Sequence, residues 1–173
     1  MLGTEAPQED ERVRRFYYHK DLDRFARARG TWIVEDEYPF QAIAAGAARV
    51  VAAGGKVAIG TNGRMQGLGL HWDMALLAKG GMSNHDILRA ATIFGADAIG
   101  VASQLGSIEV GKLADLVVLN ANPLTDIKSA SMVKYVMKNG RLYDAMTLAQ
   151  VAPLQTKPDQ FWWLDLDPTR GTR

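Results

Sequence analysis

The apolar positions of this chain change their spacing twice, and each change predicts a different kind of element. From Pro39 onward Phe40, Ile43, Ala44, Ala47, Val50 and Val51 recur at helical spacing, which predicts an amphipathic helix with these residues on its apolar stripe. Pro39 suits the first turn, Glu35, Asp36 and Glu37 complement the helix dipole, and Gly54-Gly55 ends the pattern. Lys56-Val57-Ala58-Ile59-Gly60 then reads as a short buried strand. Helix, tight glycine turn and strand together make half of a β/α repeat. A loop carrying Gly60, Gly63, Gly67 and Gly69 follows. Leu70, Met74 and Leu77 return to helical spacing until Gly80-Gly81. Ser83 with Asp86 three residues on forms a capping box for a helix carrying Ile87, Leu88, Ala91 and Ile93 up to Gly95. A short helix is expected over residues 97–101.

Near residue 104 the period drops to two. Leu116-Val117-Val118-Leu119 predicts a strand, and Asn122-Pro123 turns the chain. Val133, Tyr135 and Met137 alternate with Lys134, Val136 and Lys138 before Asn139-Gly140, the dipeptide favoured in two-residue hairpin turns. The N-terminal stretch is less regular: Val13, Phe16, Tyr17, Leu22, Phe25 and Ala26 suggest one or two short helices. The tail, with Phe161-Trp162-Trp163 and Pro168, is apolar enough to dock on another element. These patterns divide the chain into a helical or irregular segment (residues 1–34), a β/α segment (35–103), a strand-rich segment (104–150) and a tail (151–173). Neither internal repeats nor low-complexity tracts interrupt them.

Composition narrows the possibilities. A hydrophobic fraction of 47% with 23% charged residues describes a globular, soluble chain rather than a disordered one. Twenty Lys and Arg against 19 Asp and Glu leave a net charge of +1, which gives no electrostatic ground for binding nucleic acid or an acidic membrane. The N-terminal arginines are interleaved with Asp10, Glu11, Asp21 and Asp23 and read as a solvated face. With no cysteine, disulfides, thiolate metal sites and cysteine nucleophiles are excluded within these residues. Charges occupy the N-terminal stretch where a signal peptide needs an apolar core, so no targeting signal is read there, and the compartment stays open. The glycine loop fits neither the dinucleotide fingerprint nor a Walker loop.

Five motifs in order resemble one family. Val57-Ala58-Ile59-Gly60-Thr61-Asn62-Gly63 resembles the eighth barrel strand of the amidohydrolases, and Gly67-Leu68-Gly69-Leu70-His71-Trp72-Asp73 resembles the loop and helix after it. Residues 81–92 are similar to the family's next helix. Residues 105–119, with Gly111-Lys112-Leu113-Ala114-Asp115, resemble its best-marked structural signature, a turn feeding a strand. Residues 136–141 resemble its closing hairpin. The likeness is strongest to a subgroup whose larger members often carry a TolB-like β-propeller. It implies an α/β fold: the last β/α units of a (β/α)₈ TIM-like barrel, incomplete in this chain, plus strands of a small flanking β-sandwich. In such barrels the site lies at the C-terminal ends of the strands, which would put the segment after Ile59 at its mouth.

The resemblance implies hydrolysis of amide, C–N or related ester bonds by water activated on a divalent, zinc-like metal. A carboxylate at the end of strand eight, a His-x-His pair, two further histidines and often a carboxylated lysine would complete such a site. This chain has three histidines, His19, His71 and His85, and no His-x-His. The strand-eight position holds Asn62, whose amide cannot act as a base. Two readings of Asn62 stay open: it orients substrate by hydrogen bonding, or it is a turn residue before glycine. His71, early in the following helix, is the other positional match, while packing and helix-start electrostatics account for Trp72 and Asp73. His85, inside the capping box, reads as surface. The expectation is a C-terminal fragment of a metal-dependent hydrolase, inactive alone and holding no metal by itself. The alternative is a non-catalytic binding or oligomeric scaffold module. The partners expected are the missing barrel portion or further copies of the chain, and a small-molecule substrate.

Overall fold

A computed structural model describes residues 7–27, 39–62, 65, 67–158, 161 and 163. They belong to two compact units, Met1–Glu37 with Lys157–Arg173, and Tyr38–Thr156. In the first unit a 3₁₀ turn (Pro7–Glu9) leads into α1 (Glu11–Phe16) and α2 (His19–Arg27). The Asp10 carboxylate caps α1 by accepting from the backbone amides of Arg12 at 2.8 Å and Val13 at 3.4 Å, which satisfies donors a helix start leaves open. Val13 and Leu22 are buried. The tail docks here: Phe161 meets the Phe16 ring edge-on at 5.9 Å and stacks on Trp163 at 4.5 Å, and the Trp163 indole N–H donates to the Arg15 carbonyl at 3.3 Å. Trp162 and Pro168 lie outside the described residues, as do Glu35, Asp36 and Glu37.

The second unit begins with α3 (Phe40–Ala52), which starts after Pro39 as the sequence suggests. Its buried stripe differs from the expected one. Ala44 is buried and Ala47, Ala48 and Val51 pack toward the core, whereas Ile43 and Val50 are 68% and 49% exposed. This helix is apolar on two sides, and α4 covers only one of them. α4 (Leu68–Lys79) buries Met74 and packs Leu70 and Leu77 against the core, as their spacing predicts. Where α4 ends, Gly80 passes so close to α3 that a Cβ there would lie 2.4 Å from the Ala44 carbonyl carbon.

Residues 56–60 join no ladder, so the expected buried strand is replaced by a half-buried segment. Val57 and Ile59 are half-buried, Ile59 packing against the core, while Lys56, Ala58 and Gly60 are exposed. The Ile59 amide donates to the Ala90 carbonyl at 3.1 Å, and Lys56 reaches the Asp97 carboxylate at 2.6 Å. A strand is stabilised by neighbours exchanging ladder hydrogen bonds, and among the described residues no strand lies beside this one. Ser83 caps α5 (Asn84–Ala90): its hydroxyl accepts from the Asp86 amide at 3.1 Å and donates to the Asp86 carboxylate at 2.7 Å. The helix expected to continue to Gly95 instead breaks at Ala91-Thr92, where Thr92 adopts φ −131°, ψ −95° and its hydroxyl donates to the Leu88 carbonyl at 2.6 Å. Hydroxyls that bond the preceding turn compete with the helix ladder. α6 (Ile93–Ala98) follows and takes in the start of the short helix expected over 97–101.

The strand-rich region forms one antiparallel sheet in the order β1 (Leu116–Leu119), β2 (Val133–Lys138), β3 (Arg141–Asp144), β4 (Gln150–Ala152). Asn139 and Gly140, at φ 48° and 75°, close the β2–β3 hairpin with Lys138 opposite Arg141, the two-residue turn the sequence predicts. β4 was not expected. It follows an Asx turn in which the Asp144 carboxylate accepts from the Met146 and Thr147 amides and from the Thr147 hydroxyl. Between β1 and β2, a 3₁₀ turn (Ile127–Ser131) carries Ile127 and Ala130 into the helical core beside Met74, Met82 and Ile87. The connection between β1 and β2 is thereby anchored in the helical core.

Candidate functional site

The segment that leaves the core at Ile59 continues as Gly60-Thr61-Asn62 and is held against the start of α4. The Thr61 hydroxyl donates to the Asp73 carboxylate at 2.7 Å. One turn earlier on the same helix, Gly69 is buried, and a Cβ there would lie 2.7 Å from the Thr61 methyl. Positions 69 and 73 are four apart and share a helix face, so a single threonine uses both. Asn62 comes next and is exposed. His71 sits between Gly69 and Asp73 on α4, half-buried, with its Nδ1 shielded from solvent. The two positional matches are thus carried by two pieces of chain that Thr61 ties together.

Sequence reasoning missed Thr61 and assigned Gly69 to the loop, although Gly69 belongs to the first turn of α4. The glycine and the carboxylate at positions 69 and 73, i and i+4 on one helix, gave no signal that Thr61 would meet them, because the fold brings these positions together. The remaining histidines lie elsewhere. His85 is a surface residue with Nδ1 4.0 Å from the Asp86 carboxylate, and His19, in the other unit, has its ring 4.5 Å from that of Tyr18.

The carboxylates with clearly displaced pKa values all belong to structural motifs. The Lys138 ammonium and then the Asn139 amide, which donates at 2.6 Å, hold the Asp115 carboxyl below its ordinary range. The Ser107 hydroxyl, followed by Lys112, does the same for Glu109, and the Ser83 hydroxyl for Asp86. Lys112 bridges Ser107 and Glu109 across the turn at Gly111, whose φ is 91°. Ion pairs that brace a turn lower carboxylate pKa values without any catalytic task. The Gly-Lys-Leu-Ala-Asp stretch is such a brace, feeding β1 and tying it to the hairpin.

These elements recur in known proteins. The sequence model of the amidohydrolase family matches residues 26–143, more than half of the chain. This chain belongs to the amidohydrolase family. An imidazolonepropionase from Symbiobacterium thermophilum is 43% identical over 65 residues, covering 36% of this chain and 15% of that protein. A 5-methylthioadenosine/S-adenosylhomocysteine deaminase from Moorella thermoacetica is 34% identical over 118 residues, covering 54% of this chain and 27% of that protein. Among solved structures, a Xaa-Pro dipeptidase with methionine bound in its active site superposes with a TM-score of 0.53 at 33% identity, covering 59% of this chain and 25% of that one.

The chain therefore spans roughly a quarter or less of the length of these relatives. Amidohydrolase relatives imply an α/β fold of the TIM-barrel type and are generally metal-dependent. The donor set of the described residues does not fit a metal: no three His, Asp or Glu side chains come together among them. Residues 60–62 contribute only the neutral side-chain oxygens of Thr61 and Asn62, and Asp73 is already engaged by Thr61. Among the described residues no helix is long and apolar enough to cross a membrane.

Proposed function

We propose that this chain is the C-terminal part of an amidohydrolase, comprising its last β/α units and part of a flanking β-sandwich, and that it hydrolyses amide, C–N or related ester bonds only when joined to the rest of a barrel. The observation that carries this reading is the family match across residues 26–143 in a chain covering about a quarter of its relatives, with no metal-donor cluster among the described residues. The unladdered segment 56–60 and the exposed apolar side of α3 support it, because among the described residues both lack the neighbours that barrel strands and helices ordinarily have. In this reading Asn62 and His71 face the substrate side of the barrel mouth. Asn62 donates and accepts hydrogen bonds there without serving as base. The subgroup fused to a TolB-like β-propeller is the proposed branch of the family.

A second reading is favoured by one residue. An amide at position 62, where the family commonly has a carboxylate, fits a non-catalytic module that binds a small molecule or assembles with copies of itself. The reading frame upstream of the Met1 codon separates the two. An open frame encoding His-x-His supports the hydrolase reading; a clean start site with its own promoter supports the module and contradicts the first proposal.

A further inference from the structure

Thr61 is held at two points by one face of α4. Its methyl lies where the side chain of residue 69 would otherwise project, the added Cβ falling 2.7 Å from Thr61 Cγ2, and its hydroxyl donates to Asp73 Oδ2 at 2.7 Å. A threonine at the end of an extended segment usually rotates among staggered positions. Here one rotamer satisfies both the apolar seat and the carboxylate, so each contact selects the other. Residues 60–62 are exposed and have no ladder partner among the described residues. The two contacts of Thr61 tie this exposed segment to α4.

We propose that Thr61, Gly69 and Asp73 form a positioning latch that sets the pose of Asn62, with Asp73 acting through Thr61 and not on the substrate itself. This deepens the hydrolase reading and rests on it for the meaning of Asn62 as a site residue; the latch itself stands on this chain's geometry alone. It also explains why α4 begins with a glycine inside its first turn, a position where glycine ordinarily weakens a helix. A carboxylate that accepts from threonine is a stronger partner than a neutral amide, which sets the order of the variants below.

Backbone ¹⁵N relaxation on the full 173-residue chain, kept below the concentration at which it associates, tests the latch on the picosecond-to-nanosecond scale. The Asn62 order parameter should sit near the rigid value of about 0.85 and fall below about 0.6 in both Thr61→Val and Asp73→Ala. The double variant should fall no further than either single one, and Asp73→Asn should lie in between. The sharpest arm exchanges volume across the contact: Gly69→Ala alone should loosen Asn62. Adding Thr61→Ser, which removes the methyl and keeps the hydroxyl, should restore it. An Asn62 order parameter unchanged in Thr61→Val and Asp73→Ala overturns the proposal. So does a Gly69→Ala effect that Thr61→Ser fails to rescue while α4 amide resonances stay native. Relaxation needs no turnover, so a rigid, latch-dependent Asn62 in a chain that proves to be a scaffold would reject the hydrolase reading and leave the latch intact.

Discussion

Gly80 lies against α3 with no room for a side chain: an added Cβ would come within 2.6 Å of the Ala45 nitrogen as well as 2.4 Å of the Ala44 carbonyl carbon. Both obstacles are backbone, which cannot swing aside as a side-chain end can. Gly80→Ala is therefore expected to push α3 from α4 and cost about 1–3 kcal/mol, the range for overpacking a tight contact. Denaturant unfolding measures it, and an unchanged midpoint would mean the helices separate freely. Asp115 supplies a second residue-level expectation. Its carboxyl is held low by Lys138 and by the Asn139 amide, so its stabilising contribution is complete above the unfolded value of about 3.9 and is lost as pH falls through the lower folded value. Asp115→Asn should thus be less stable than the parent chain at pH 7, with the gap narrowing in acid below about pH 3.9. A gap that stays constant from pH 7 to pH 2 would remove the ion pair from the account.

At the scale of elements, α5 is tied to the core through Ile87, which has 0% exposure, and through its Ser83 cap. Ile87→Ala should cost about 2–5 kcal/mol, while Ile43→Ala on the open side of α3 should stay within about 0.5 kcal/mol. Thermal unfolding of the pair checks the contrast, and equal losses would place Ile43 in a core. That contrast also shows where the sequence was readable. Leu70, Met74 and Leu77 on α4 and the Asn139-Gly140 hairpin were legible because local spacing and turn chemistry decide them. The buried side of α3 was not. Ile43 and Val50 and the alanines are all apolar, and only the neighbour that arrives determines which stripe is covered. Residues 56–60 mislead in the same way, since an apolar run reads as a strand whether or not a ladder forms. The α5–α6 break sits at Thr92, whose hydroxyl bonds the Leu88 carbonyl, and β4 follows an Asx turn at Asp144, both too local for periodicity to register. Asn62 and His71 are positional matches to the family pattern, carried by two separate pieces of chain. Thr61, the residue joining their two elements, was invisible until the fold brought Asp73 beside it.

For the whole molecule, large apolar side chains remain in contact with solvent on several elements of the second unit. Ile43 and Val50 are exposed on α3, Val117 and Val118 on the edge strand β1, and Ile108 and Val110 in the loop before it. Exposed apolar groups and an unpaired strand edge favour association. Sedimentation velocity of the purified chain is accordingly expected to give oligomers or larger aggregates, and a stable monomer across a wide concentration range would argue against an unfinished barrel. The family match fixes descent and fold class, whereas activity depends on what a site contains. The most direct measurement is hydrolysis by the purified chain alone, supplied with Zn²⁺ or Mn²⁺ and a panel of amide and dipeptide substrates. The proposed role predicts no turnover above the buffer rate at any metal concentration. Metal-dependent hydrolysis that disappears in His71→Ala would contradict it and make this chain a complete hydrolase.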